Sequence, residues 1–210
     1  MRFSPLLAVA VASSLGFSTP AFAHHPTGGR IPVTFVEGLL SGLAHPMIGP
    51  DHLLAIIAVG LLSQGLLHGG WLAAMFVSST LLGTGLHLAR IDVPAAEVLI
   101  AGTVVVFGTL VLSSRTLGHR AWLGRLAPVA IVAGTLHGYA YGEAIVGAGA
   151  SPLVAYLLGF CAIQTGVVLV VRQLSKQLSN KAISTPRLRT LSGTMVSLAG
   201  VVLVVVALNG

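Results

Sequence analysis

A polytopic all-α membrane protein is the fold class this sequence predicts, on three observations. Hydrophobic residues make up 55% of the 210 and charged residues only 8%, where soluble domains carry roughly 25% charged. Several runs approach the ~20 consecutive apolar residues that cross a bilayer as a helix. The basic residues behind the net charge of +6 gather in two loops, 115–125 and 172–189. That is the pattern of cytoplasmic retention signals and not of nucleic-acid binding. The single cysteine, Cys161, lies in an apolar run, which excludes a disulfide framework and a CxxC redox pair.

Residues 1–23 read as a cleaved signal peptide. Arg2 supplies the charge, 6–17 the apolar core, and Pro20-Ala21-Phe22-Ala23 a small-residue cleavage motif; an uncleaved first helix is the alternative. Cleavage leaves His24-His25-Pro26 at the new amino terminus, either a pair of imidazoles able to collect metal beside a free amine or a plain polar linker. Residues 24–210 then form one integral membrane domain. Its first unit, 31–67, would measure on the order of 50 Å as one helix, against ~30 Å of hydrocarbon. Later spans are expected at 71–89, 94–113, 126–146, 152–171 and 191–208. With the two basic loops cytoplasmic, the turns at 147–151 and 90–93 lie outside and 68–70 lies inside. An amino terminus released outside requires 33–67 to cross once net, so this unit is broken or re-entrant. The total is six net crossings, with the carboxyl terminus outside.

The break has a visible cause. In His45-Pro46-Met47-Ile48-Gly49-Pro50-Asp51-His52, two prolines and a glycine interrupt the helix, because proline lacks a backbone donor and clashes with the preceding turn. Ionisable groups at membrane depth are costly and mark ion or substrate paths. Broken helices free carbonyls and half-helix ends to hold a cation. Glu37, Ser41 and His45 recur at intervals of four and share one face. Asp51 stands at an N-cap position with His52 opening the next helix; capping alone would account for Asp51 but for neither histidine. The trio His45, Asp51 and His52 is therefore read as a cation site.

A second polar cluster runs from Leu136 to Glu143. Gly134, Gly138 and Gly142 form a small-residue stripe that admits a neighbouring helix. His137 and Tyr141 lie on one side of it, and Thr135, Tyr139 and Glu143 on the other. His137 and Glu143 are about 120° apart on a helix, so both cannot face one ion unless the helix loosens at its glycines. Glu143, as a buried carboxylate, is expected to be protonated, paired or metal-bound; a structural Glu–Arg or Glu–His pair is the plainer reading. His87 shares an inward face with Ser79 and Gly83, and is a secondary candidate beside Glu37, Tyr141, His24 and His25. Glu97 reads as a helix-dipole acid, Gln164 as an interhelical hydrogen bond, and Gly193, Ser197 and Gly200 as scaffold. His68 and His119 read as solvated loop residues. Imidazole with carboxylate suits Ni²⁺, Co²⁺, Zn²⁺ or Cu²⁺, and the lack of paired thiolates disfavours Cu⁺.

These motifs resemble the HupE/UreJ family of hydrogenase- and urease-associated nickel permeases. The pattern H-x5-D-H is present as His45, Asp51 and His52, and F-H-G-x-A/V-H-G-x-E as His137-Gly138-Tyr139-Ala140-Tyr141-Gly142-Glu143. Leu136 stands for the family Phe and Tyr141 for its second His, which removes a nitrogen ligand. The resemblance implies a non-enzymatic, secondary permease in the bacterial inner membrane that admits Ni²⁺ or Co²⁺ without ATP hydrolysis. It implies His45, Asp51, His52, His137 and Glu143 as permeation residues. No permanently bound cofactor is expected. The partners expected are the divalent ion, the lipid bilayer, hydrogenase or urease maturation proteins and, as an option, further copies of the chain.

Three other classes were weighed. An accessory metal-binding subunit that does not transport would share the same residues. A b-type cytochrome would use histidines on facing helices, but the acidic neighbours and the Pro-Gly break suit haem poorly. An intramembrane metalloprotease lacks the HExxH spacing.

Overall fold

The computed structural model describes residues 30–64, 69–113, 119–181 and 184–209, with the backbone alone for 119–123 and 181. The leader 1–23, His24, His25 and His68 lie outside the described residues. Among the described residues seven helices follow one another: α1 (Phe35–Ile48), α2 (Pro50–Gln64), α3 (Gly69–Leu88), α4 (Ala96–Ser113), α5 (His119–Glu143), α6 (Ala150–Lys181) and α7 (Thr185–Asn209). Helices α3, α4, α6 and α7 are long and apolar enough to cross a membrane, and α1–α2 makes a fifth when its bent halves count as one span. Helix α5 is diluted by Arg120, Arg125, His137, two tyrosines and Glu143, and does not reach that level on composition.

Packing nevertheless fixes the direction of α5. Gly134 lies against Phe76 and Ser79, Gly138 against Thr80, and Gly142 against His87. Residue numbers rise together on both helices, so α3 and α5 run parallel, as two spans separated by one return must. The same reading makes α7 antiparallel to α4, with Gly108 against Ser197 and Gly200 against Val104 and Val105. This is the scaffolding expected of Gly193, Ser197 and Gly200.

The first unit resolves in the same way. Gly38 and Gly42 of α1 lie against Pro152 and Tyr156, whereas Gly60 of α2 lies against Val168 and Val171. Farther along, Gln64 Nε2 donates to Ser179 Oγ at 3.2 Å. The two halves advance along α6 in one direction, so they make one broken crossing and not a re-entrant hairpin. They bend by 79°.

The break falls at Gly49-Pro50 and not at Pro46, which the helix absorbs in its last turn. Gly49 adopts φ −74°, ψ 113°, the extended backbone imposed on the residue before a proline. Pro50 then opens α2 at the position where its missing N–H is harmless. Asp51 is accordingly the second residue of α2 and not its N-cap.

Helix α2 is the hub of the bundle. Ala55, Ile56, Ala58, Val59 and Leu62 join Phe76 of α3, Phe107 of α4, Ala130 of α5, Val168 of α6 and Val196 of α7 in one apolar core. Outward-facing Leu191, Met195, Leu198, Val201 and Val205 leave α7 with an apolar face suited to lipid.

Three boundaries differ from expectation. Helix α6 runs through 32 residues, about 48 Å, so Arg172 and Lys176 sit on a helical extension beyond the hydrocarbon and not in a loop. Arg120 and Arg125 likewise lie within α5, and Arg187 and Arg189 within α7. Apolarity marks where a helix leaves lipid, not where it stops being a helix.

Candidate metal centre

The centre forms where the α1–α2 break meets α4, α5 and α6. His45 closes the last turn of α1 at 3% exposure, and His52 opens α2 at 3%. Their ring centres are 5.6 Å apart. His137 of α5, fully buried, places Nδ1 2.7 Å from His52 Nδ1 and Nε2 2.9 Å from Thr103 Oγ1 on α4. Tyr141, one turn beyond His137, lays its ring 5.2 Å from His45 and 4.6 Å from His52. Tyr156 of α6 places its hydroxyl 3.2 Å from His45 Nδ1 while donating to the Tyr141 carbonyl at 2.8 Å.

Asp51 joins at the edge. Its Oδ1 accepts the His52 backbone N–H at 2.8 Å and stands 3.8 Å from His52 Nδ1. The carboxylate thus secures the first turn of α2 and adds negative charge beside the imidazole. Gly49 makes room for this corner. A Cβ there would lie 2.7 Å from His52 Cδ2 and 3.0 Å from Asp51 Oδ1. Alanine fits the Gly49 backbone, so Gly49→Ala is expected to leave the protein folded while tilting the His52 ring and lowering metal uptake. Size-exclusion profile and uptake, measured together, check it.

The sequence-predicted residues divide into those brought together and those left apart. His45, Asp51, His52 and His137 converge, with Tyr141 among them. Glu143 does not: it is the exposed last residue of α5, so the expectation of a buried carboxylate fails. The angular argument explains this, since the face that buries His137 turns Glu143 away. Glu37 shares the helix face of Ser41 and His45 but not their burial. Ser41 and His45 are buried, but Glu37 is exposed and closes a capping box, accepting from the Val33 and Thr34 N–H groups while Thr34 Oγ1 accepts from its own. Its partners in the first turn hold it outward.

His87 stacks on Tyr139 at 4.6 Å and lines a separate cavity of about 380 Å³ with Arg90, Asp92 and Val146. Gln164 is buried and donates to Thr80 Oγ1 at 3.3 Å, the interhelical bond expected of it. Glu97 is exposed in the first turn of α4.

Two participants were not legible beforehand, Thr103 and Tyr156. A lone threonine and a lone tyrosine in apolar spans carry no spacing signal. Only the packing of α4 and α6 brings their hydroxyls to the histidines.

Among the described residues, no three His, Cys, Asp or Glu side chains are arranged as a ready metal-holding group. The donors at hand are two imidazoles at the break and oxygen atoms. Among the described residues the buried Tyr141 hydroxyl has no hydrogen-bond partner, at a depth where an unsatisfied polar atom costs about 1–3 kcal/mol. The depth follows from three helices. Tyr156 lies six residues into α6, His137 six before the end of α5, and Thr103 seven into α4. Each count places the centre about 9–10 Å from the end where α3 joins α4.

The family described as HupE / UreJ protein matches residues 11–203. Protein HupE of Rhizobium leguminosarum bv. viciae is 34% identical over 115 residues, 53% of this chain and 54% of that protein. The chain thus matches about half the length of this curated relative. No solved structure matches the chain.

Proposed function

Because the chain belongs to the HupE/UreJ family, we propose that it is a secondary permease for a divalent transition metal, Ni²⁺ first and Co²⁺ second, supplying hydrogenase or urease maturation. The observation that carries this reading is the convergence of the His45, His52 and Tyr141 rings at a helix break inside the membrane domain. Imidazole nitrogens bind first-row metals at about 2.0–2.1 Å, which puts an ion about 3.2 Å from each ring centre. Rings 5.6 Å apart are therefore within reach of one ion. Tyr141 packs its ring against both and keeps a buried hydroxyl without a hydrogen-bond partner among the described residues, and Asp51 offsets part of the charge.

Among the described residues the donors at the break are two imidazoles and oxygen atoms, a set that suits a passing ion better than a stored one. Conduction needs binding strong enough to draw an ion in and weak enough to let it go. An accessory subunit that sequesters metal would need a more complete cage.

The protein sits in the bacterial inner membrane with the α6–α7 end cytoplasmic. Arg172, Lys176, Arg187 and Arg189 support that orientation. The metal centre then lies nearer the periplasm, and both mature termini face it. The activity is transport and not catalysis.

The test is uptake of radiolabelled Ni²⁺ by cells that lack their own nickel uptake and express this chain, with unlabelled Ni²⁺, Co²⁺ and Zn²⁺ as competitors. Uptake above the vector control, competed best by nickel and next by cobalt, is expected. Metal binding by the purified chain without uptake would transfer the assignment to the accessory reading.

A further inference from the structure

We infer that Thr103 and Tyr156 are positioning residues that fix the tautomers of the buried imidazoles, so that both His45 and His52 carry the proton on Nδ1 and the lone pair on Nε2. Two oxygen atoms, and not the histidines, decide where the protons lie. Thr103 Oγ1 lies 2.7 Å from the Ile100 carbonyl oxygen. Two oxygens that close need a proton between them, and a carbonyl brings none. The threonine proton therefore points at Ile100.

Toward His137 Nε2, 2.9 Å away, Oγ1 can then only accept, so the proton of that contact sits on Nε2. A neutral imidazole holds one proton, which leaves His137 Nδ1 with a lone pair. His52 Nδ1 at 2.7 Å must supply the hydrogen. His52 thus carries its proton on Nδ1 and its lone pair on Nε2, the form in which imidazole takes a metal.

The second relay is independent and has the same outcome. The Tyr156 hydroxyl proton goes to the Tyr141 carbonyl at 2.8 Å. Its oxygen then accepts from His45 Nδ1 at 3.2 Å, and His45 is also left bare at Nε2. Metal-binding histidines commonly donate their other N–H to a partner that fixes ring and tautomer. Here two helix carbonyls, Ile100 and Tyr141, set the polarity of both chains of hydrogen bonds. His137 has both ring nitrogens engaged, so it acts through His52 and does not ligate the ion in this state.

The tautomer assignment stands on geometry alone; its transport consequence rests on the permease reading. The test is ¹⁵N NMR of the full chain in nanodiscs with labelled histidine, which separates protonated from bare ring nitrogens. The expected spectrum has His137 protonated on Nε2, and His45 and His52 on Nδ1. Thr103→Val, which keeps the shape and removes the acceptor, should lose that pattern at His52 and lower Ni²⁺ uptake about tenfold. Thr103→Ser should keep both, and Tyr156→Phe should disturb His45 only.

A wild-type spectrum with the His52 proton on Nε2 would overturn the inference, whatever the variants do. Thr103→Val with wild-type tautomers and uptake would overturn it too. Absence of uptake by the wild type would sink the permease reading, and the spectrum would still decide this one.

Discussion

Cells that take up labelled Ni²⁺ through the wild-type chain are expected to lose that uptake when His52 becomes alanine, by tenfold or more, the equivalent of about 1.4 kcal/mol. His52 joins three other rings of the centre: its ring lies 5.6, 5.0 and 4.6 Å from those of His45, His137 and Tyr141. Its removal takes away one nitrogen donor and leaves His137 Nδ1 facing a void. His52→Gln, closer in volume, should be equally inactive if a ring nitrogen is what matters. Asp51→Asn separates charge from capping, because asparagine keeps an oxygen for the His52 backbone N–H but not the negative charge. Loss of uptake in Asp51→Asn, with an unchanged size-exclusion profile, identifies the charge as the contribution. Uptake unaltered by His52→Ala and by Asp51→Asn would reject the site.

The largest structural effect is expected at the α3–α5 seam. A Cβ on Gly138 would run into the backbone of Thr80, and one on Gly83 into the backbone of Thr135 and Tyr139. Backbone cannot step aside as a flexible side chain can, so the helices would have to part. Overpacking ordinarily costs about 1–3 kcal/mol, and a collision with main chain along a whole interface lies at the upper end or beyond. Gly138→Val and Gly83→Val should therefore lose most of the monodisperse protein seen by fluorescence-detected size exclusion. Gly85→Ala on the same helix is the control. Its added Cβ meets nothing within 4 Å, and normal yield is expected. Equal yields from Gly83→Val and Gly85→Ala would contradict the packing described.

Much of this was readable from residue order, for physical reasons. Apolarity over ~20 residues reports the cost of exposing backbone to lipid, so the spans at 71–89 and 94–113 agree with α3 and α4 to within a few residues. The loss of an N–H at Pro50 announced the break. The period-four stripe Gly134, Gly138, Gly142 announced a close neighbour, which proved to be α3.

What sequence could not convey was the environment of single polar groups. Glu143 and His137 look equally buried in an apolar string, yet the helix turns one outward and the other into the core. Glu37 looked like part of an ion path and is engaged by Thr34 in a cap. Thr103 and Tyr156 became visible only through hydrogen bonds to residues 34 and 111 positions away.

The shallow placement of the centre has an electrical consequence. On the permease reading, an ion resting between His45 and His52, about 9–10 Å from the α3–α4 end of hydrocarbon ~30 Å thick, would have traversed about a third of the membrane field. For a doubly charged ion and 100 mV, that fraction is worth about 1.5 kcal/mol, roughly a tenfold change in occupancy. The remaining two thirds of the voltage drop would fall along the apolar shaft of α2, so the membrane potential would bear about twice as strongly on the ion's departure as on its capture.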